Sequence, residues 1–237
     1  MQHAKPSILC TGPVDLTGVH PGVRESVDID ITPFTEISSA IPGGTIEEIK
    51  NIINKKAIVV FTSGNALRSV ATLLESHKPD WSVYCLGNTT YELAKSIFSD
   101  QQIRQTANDA ASLAKTIITD KEISEVIFFC GNLRRNDLPD LLHKNNIRVK
   151  EIITYYTTSV QQEIKREYDA VLFFSPSAAD SFFSRHTLPA KTIVFVIGET
   201  TSDKVKSSTK NKVIVSDKPD KLHLIGMAIN SLVSPLA

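Results

Sequence analysis

Cysteine is scarce in this chain: Cys10, Cys85 and Cys130 are the only three in 237 residues, and each lies in or ends an apolar run. None has the paired spacing of a zinc site or a redox dithiol, so buried free thiols are expected. The six histidines are scattered, with no two of them three or four residues apart, which excludes a helix-borne metal pair. No metal or cofactor is expected. Excess charge is missing too: 26 basic residues balance 26 acidic ones, so no global field recruits nucleic acid or an anionic membrane. The longest apolar runs, residues 126–130 and 171–174, are strand-sized and far short of the roughly 20 residues that cross a bilayer. Neither GxGxxG nor GxxxxGK[ST] occurs, which argues against a dinucleotide or a P-loop nucleotide. Residues 1–6 hold no apolar secretory segment and run straight into the strand-like 7–11, so a soluble, cytoplasmic protein is expected.

What the chain does have is a repeat. Phe61-Thr62-Ser63-Gly64-Asn65-Ala66 returns as Phe173-Phe174-Ser175-Pro176-Ser177-Ala178, and Leu86-Gly87-Asn88-Thr89-Thr90 returns as Ile197-Gly198-Glu199-Thr200-Thr201, at offsets of 112 and 111. Both pairs set a small, hydroxyl-rich turn between an apolar run and a helical pattern, so loops are repeated as well as core. Two similar domains facing each other across a cleft are expected.

Strand-like runs alternate with helical ones, the pattern of a parallel α/β fold. Strands are predicted at 57–62, 81–86, 103–105 and 125–130, with helices at 63–74, 89–98 and about 109–119. The series recurs with strands at 169–174, 191–197 and 212–215, and helices from Ser175-Pro176, at 200–207 and at 219–232. Proline fits at that first helix start because its missing N–H would be unpaired there anyway. The second series has too few strands for a matching sheet, so it borrows the spare strand 7–11. The chain would then start in one domain, build the other, and return: residues 1–30 with 158–237 as the discontinuous domain, and 36–150 as the inserted one. Two connectors, about 27–35 and 149–158, would form a two-stranded ladder. The first is suggested by the alternation Val27-Asp28-Ile29-Asp30-Ile31, the second by its β-branched and aromatic residues. Pro13, Gly18, Pro21 and Gly22 mark residues 12–25 as irregular loop, and Thr45-Ile46-Glu47-Glu48 reads as a capping box opening a helix through Ile53.

Strand-to-helix turns of open parallel sheets lie at the carboxyl ends of the strands, where such folds take ligands. Helix N-termini there present unpaired N–H groups and partial positive charge, which suit anions. Ser63, Thr89, Thr90, Ser175, Ser177, Thr200 and Thr201 would ring that region, and each is equally explained as a simple cap. In Cys130-Gly131-Asn132-Leu133-Arg134-Arg135, glycine permits a tight turn or close approach to a ligand and an arginine can pair with carboxylates. The plain alternative is a loop with solvated arginines.

These residues together resemble the uroporphyrinogen-III synthase family over most of the chain. Phe61-Thr62-Ser63 is similar to its first serine turn and Gly87-Asn88-Thr89-Thr90 to its first Gly-x-x-Thr turn. Cys130-Gly131-Asn132 with Arg134 and Leu138-Pro139 resembles its Cys-Gly-Asn loop, and Tyr155 its linker tyrosine. Ser175-Pro176-Ser177 and Gly198 with Thr200-Thr201 look like the turns of its second half. Thr11-Gly12-Pro13 stands where family members commonly carry a basic residue. The resemblance implies two flavodoxin- or Rossmann-like domains on a β-ladder hinge, with the substrate in the cleft. It also implies cofactor-free closure of linear hydroxymethylbilane to uroporphyrinogen III, with loss of water and inversion of ring D. Tyr155 with Thr200 and Thr201 would be catalytic. Ser63, Gly87, Asn88, Thr89, Thr90, Cys130, Gly131, Asn132, Arg134, Ser175, Pro176, Ser177 and Gly198 would bind substrate. A monomer is expected, in transient contact with hydroxymethylbilane synthase. The competing readings are a two-lobed cytosolic protein that binds a small anion without catalysis, and a plain interaction module.

Overall fold

The computed structural model describes residues 5–75, 77–87 and 89–233. The chain opens with β1 (Ser7–Cys10), a one-turn helix α1 (Pro21–Arg24) and β2 (Asp28–Ile31). Two expectations are corrected here. Residues 12–25 are not wholly irregular, because Pro21 begins a helical turn. Residues 28–31 pair in parallel with β1, from Ser7↔Asp28 to Cys10↔Ile31, so they extend its sheet and are not a connector strand. Alternation of apolar and polar residues suits an edge strand with one solvated face equally well.

Then come β3 (Thr35–Ser38) and α2 (Gly43–Ile53). The capping box does not form: the N-cap is Pro42, and the Thr45 N–H already bonds back to the Pro42 carbonyl at 2.9 Å, which puts Thr45 inside the first turn. The alternation continues through β4 (Ala57–Phe61), α3 (Gly64–Leu74), β5 (Trp81–Leu86), α4 (Thr89–Ile97), β6 (Ile103–Ala107), α5 (Ala110–Thr119), β7 (Glu125–Gly131), α6 (Asp137–Lys144) and β8 (Arg148–Ser159). The helix α6 is not among the elements expected from the sequence. Pro139 is third in the helix, within the turn whose N–H groups have no intrahelical partner. The chain ends with β9 (Ala170–Phe173), α7 (Pro176–Phe183), β10 (Ile193–Val196), α8 (Glu199–Lys206), β11 (Val213–Val215) and α9 (Lys221–Val233).

The elements form two compact units: Ile37–Thr157, the inserted unit, and a split unit that ends at Glu36 and resumes at Thr158. The split unit holds a five-stranded sheet in the order β11-β10-β9-β1-β2, parallel throughout. The other sheet runs β3-β8-β7-β4-β5-β6, with parallel pairing from β8 to β6. Strand residues alternate between two apolar clusters in each sheet. Val59 and Phe61 join Trp81, Phe98 and Phe129, whereas Val60 joins Leu113 and Leu138. Ile8 and Cys10 join the α9 residues Leu224 and Ile225, whereas Leu9 joins Phe34, Phe173 and Phe182. Helices thus cover both faces of each sheet. The mixed α/β class with open parallel sheets is the one expected from the alternation. Among the described residues no helix is long and apolar enough to cross a membrane.

Candidate functional site

The repeated turns keep their chemistry in three dimensions. Ser63 and Ser175 are both extended N-caps: the Ser63 hydroxyl accepts from the Asn65 N–H at 3.1 Å, and that of Ser175 from the Ala178 N–H at 3.1 Å. Pro176 occupies the first helical position. The Ser177 hydroxyl lies 3.1 Å from that of Ser175, so the β9–α7 turn presents two linked hydroxyls. In the second pair of turns the repeat extends to exposure. Thr89 and Thr200 are exposed in the first turns of α4 and α8, whereas Thr90 and Thr201 are buried. Thr89 and Thr200 are therefore the members that face solvent. Gly87 and Gly198 do not supply left-handed backbone, since no described glycine has positive φ; Gly198 is the extended N-cap of α8. Asn88 lies outside the described residues.

The Cys-Gly-Asn segment is tied to its own unit by several side-chain bonds. Cys130 is core: burial, reinforced by nearby Glu151, pushes its thiol up to about 11. Its Sγ lies 3.8 Å from the Ile152 carbonyl. The Asn132 amide is committed to β8, donating to the Thr157 carbonyl at 3.1 Å and accepting from the Thr157 N–H at 2.7 Å. Arg134 grips Glu151 with two bonds of 2.5 and 2.7 Å and also bonds Asn136. Its charge is met by an internal carboxylate, which raises its pKa further. The neighbouring Arg135 lies 2.7 Å from Asp137.

Gly131 is needed for space. A Cβ built there would come 2.3 Å from Cζ of Tyr155 and 2.7 Å from its hydroxyl oxygen, closer than any side chain could tolerate. Tyr155 thus stands over Gly131 and packs partly against the Phe61–Phe129 cluster. Both line a cleft of about 370 Å³ in the inserted unit, together with Ser63, Asn108, Arg134 and Leu138. Three residues quoted separately from the sequence, Ser63, Gly131 and Tyr155, are therefore brought to one wall.

Two cations at strand ends escaped the sequence reading. Arg68 lies one helical turn beyond Gly64, with Nη1 3.3 Å from where a Gly64 Cβ would stand; the i, i+4 spacing from the turn could have revealed it. Lys221, at the start of α9, donates to the Pro13 carbonyl at 2.6 Å and lies 5.2 Å from the centre of the Phe174 ring. Partial burial lowers its pKa, opposed by Cys10. It supplies positive charge beside Thr11-Gly12-Pro13 from 208 residues away, where no local signal points.

A family model described as "Uroporphyrinogen-III synthase HemD" matches residues 25–226. The chain belongs to the uroporphyrinogen-III synthase family. A curated relative, the uroporphyrinogen-III synthase of Saccharomyces cerevisiae, is 29% identical over an alignment of 120 positions that covers 43% of this chain and 44% of that protein. The alignment therefore spans less than half the length of the yeast protein. Two solved structures share the fold. A mutant uroporphyrinogen III synthase from the extremely thermophilic bacterium Thermus thermophilus superposes with a TM-score of 0.66 at 12% identity, covering 96% of this chain and 98% of that one. The uroporphyrinogen-III synthetase of Helicobacter pylori 26695 gives 0.64 at 14% identity, covering 95% and 99%. At these identities the uroporphyrinogen-III synthase structures speak to the fold, and the family match speaks to descent.

Proposed function

We propose that this chain is itself a uroporphyrinogen-III synthase, a cyclising lyase of tetrapyrrole biosynthesis. It closes linear hydroxymethylbilane to uroporphyrinogen III, releasing one water and inverting ring D. The observation that carries this reading is the family match over residues 25–226. It is supported by hydroxyl-bearing turns at the carboxyl ends of the strands in both sheets, whose helix N-termini suit the carboxylates around such a substrate. The substrate is already reactive, so most of the enzyme's work is to hold one conformation for closure. Tyr155 is assigned as general acid: its hydroxyl gives a proton to the departing hydroxyl, which leaves as water and generates the azafulvene that ring D attacks. Thr200 is assigned as a second hydroxyl beside it, at an exposed position next to the buried Thr201. Ser63, Gly87, Asn88, Thr89, Thr90, Ser175, Pro176, Ser177 and Gly198 are assigned to substrate binding through their turns. The protein works without a cofactor, as a cytoplasmic monomer in transient contact with hydroxymethylbilane synthase.

The test generates hydroxymethylbilane in situ with its own synthase, adds this protein, and separates the oxidised type I and type III isomers. Type III product is expected. Type I alone, with tight binding of the bilane, would replace the reading by an anion-binding protein without catalysis.

A further inference from the structure

The segment after β7 touches β8 at three places. Arg134 holds Glu151 by two bonds, Gly131 lies beneath the ring of Tyr155, and the Asn132 side chain both gives to and takes from the main chain of Thr157. The Asn132 N–H also bonds the Tyr155 carbonyl at 3.3 Å. The β7–β8 pairing slips by one residue at this point: Cys130 stands opposite Ile153, but Gly131 stands opposite Tyr155. Thr154 is the extra residue, and its hydroxyl turns to the Cys130 carbonyl at 3.3 Å. In an unslipped ladder Thr154 would face Gly131 and Tyr155 would fall one place further on, with its side chain turned to the other face. The Asn132 side chain takes up both main-chain groups of Thr157, so the shifted register is held from beyond the slip as well as from before it.

We propose that Gly131, Asn132 and Arg134 are positioning residues that fix the place of the Tyr155 hydroxyl, and not contacts for substrate carboxylates. Asn132 sets the register, Gly131 leaves room for the ring, and Arg134 anchors the strand at Glu151, four residues before the tyrosine. Hydrogen-bonding groups already spent on the main chain and on an internal carboxylate have little left for a ligand. A shift of about 1 Å in the acid is enough to lower the rate substantially without changing affinity.

The inference rests on the assignment of Tyr155 as acid, and the experiment separates the two. Type III formation is measured in the coupled assay for wild type, Y155F, N132A, N132D, R134M and the double variant N132A/Y155F, alongside each melting temperature. N132A is expected to lower kcat about tenfold with KM within about twofold, and R134M to act in the same direction. N132D keeps an acceptor for the Thr157 N–H and should recover part of the loss. In the Y155F background, N132A should cost almost nothing more, because residues acting as one unit are not additive. An undiminished tenfold loss in that background, or a raised KM at unchanged kcat, overturns the positioning role while leaving the enzyme assignment standing. A Y155F protein that makes type III product at the wild-type rate overturns the acid assignment and the positioning role with it.

Discussion

Superimposing the two sheets strand by strand gives β6-β5-β4-β7-β8 against β11-β10-β9-β1-β2, the same five-strand frame read through a different chain order. β1 takes the place of β7, and β2 that of β8. By register Cys10, opposite Leu172, then corresponds to Phe128, opposite Val60, so β7 runs on through Phe129, Cys130 and Gly131 where β1 has already ended. The difference begins where β1 ends. β1 and β2 pair without a slip, and the segment after β1 is held from α9 by Lys221. β7 and β8 slip, and the segment after β7 clasps its neighbour. A duplicated frame thus carries a regular strand end in one copy and a shifted one in the other, and the shifted one holds the tyrosine.

The largest expected effect tests whether the two frames are energetically separate. Phe182 is fully buried in the split unit among Phe34, Phe173 and Phe183, and Phe129 in the inserted unit against Phe61 and Trp81. F182A and F129A should each cost about 3–5 kcal/mol. Calorimetry with limited proteolysis should show the loss confined to the unit that carries the substitution. Cleavage spreading equally through both units would mean that they share one cooperative transition.

Next is the pH response of the buried thiols. Burial pushes Cys10 up to about 12 and Cys85 and Cys130 up to about 11. These folded values lie above the unfolded one, so the stability they carry is fully present below about pH 9. It is lost as rising pH ionises the unfolded chain first, until the folded thiols also ionise at about 11–12. For Cys10 the loss should reach about 2 kcal/mol near pH 10.5. Urea titrations across that range should show a shallower decline for C10A than for wild type, and a similar but smaller flattening for C130A. Parallel curves for all three proteins would contradict the shifts.

The threonine pairs come third. T89V and T200V remove hydroxyls at exposed positions and should lower type III formation by up to about tenfold. T90V and T201V remove buried ones and should act on stability, by about 1 kcal/mol. The smallest effect concerns the caps: S63A and S175A should each cost about 1 kcal/mol, with S175A the milder because Pro176 already biases the chain toward a helix start. Thermal melts of the two variants side by side measure that difference.

Much of the frame could be read from the sequence because its signals are local. Trp81–Leu86 is bounded as its apolar run indicates, Ser63 and Ser175 cap the helices their positions suggest, and of the two candidates Asn108 and Asp109 it is Asp109 that caps α5. Errors arose where one local pattern fits two structures, as with an alternating strand that is a sheet edge, or a proline inside a first turn. The site was legible only as a set of residues. That Gly131 and Tyr155 meet depends on a one-residue slip between strands, and that Lys221 reaches Pro13 depends on the packing of the last helix. Neither leaves a mark in periodicity or spacing. Asn132 and Arg134 stand out in the sequence, but hydrogen-bonding capacity alone does not reveal where it is spent.

The place of β1 in the interior of its sheet has a consequence for biogenesis. Its apolar residues Ile8, Leu9 and Cys10 are wholly buried between β2 and β9, yet β1 is complete at Cys10 and β9 starts only at Ala170. At a synthesis rate of roughly 5–20 residues per second, the ribosome needs on the order of 10–30 s to deliver that partner. During this interval the entire inserted unit emerges and can fold, while the first strand has only β2 beside it and one unpaired apolar edge. In that interval β1 is open to aggregation or chaperone capture, and its sheet can close only after β9 has emerged.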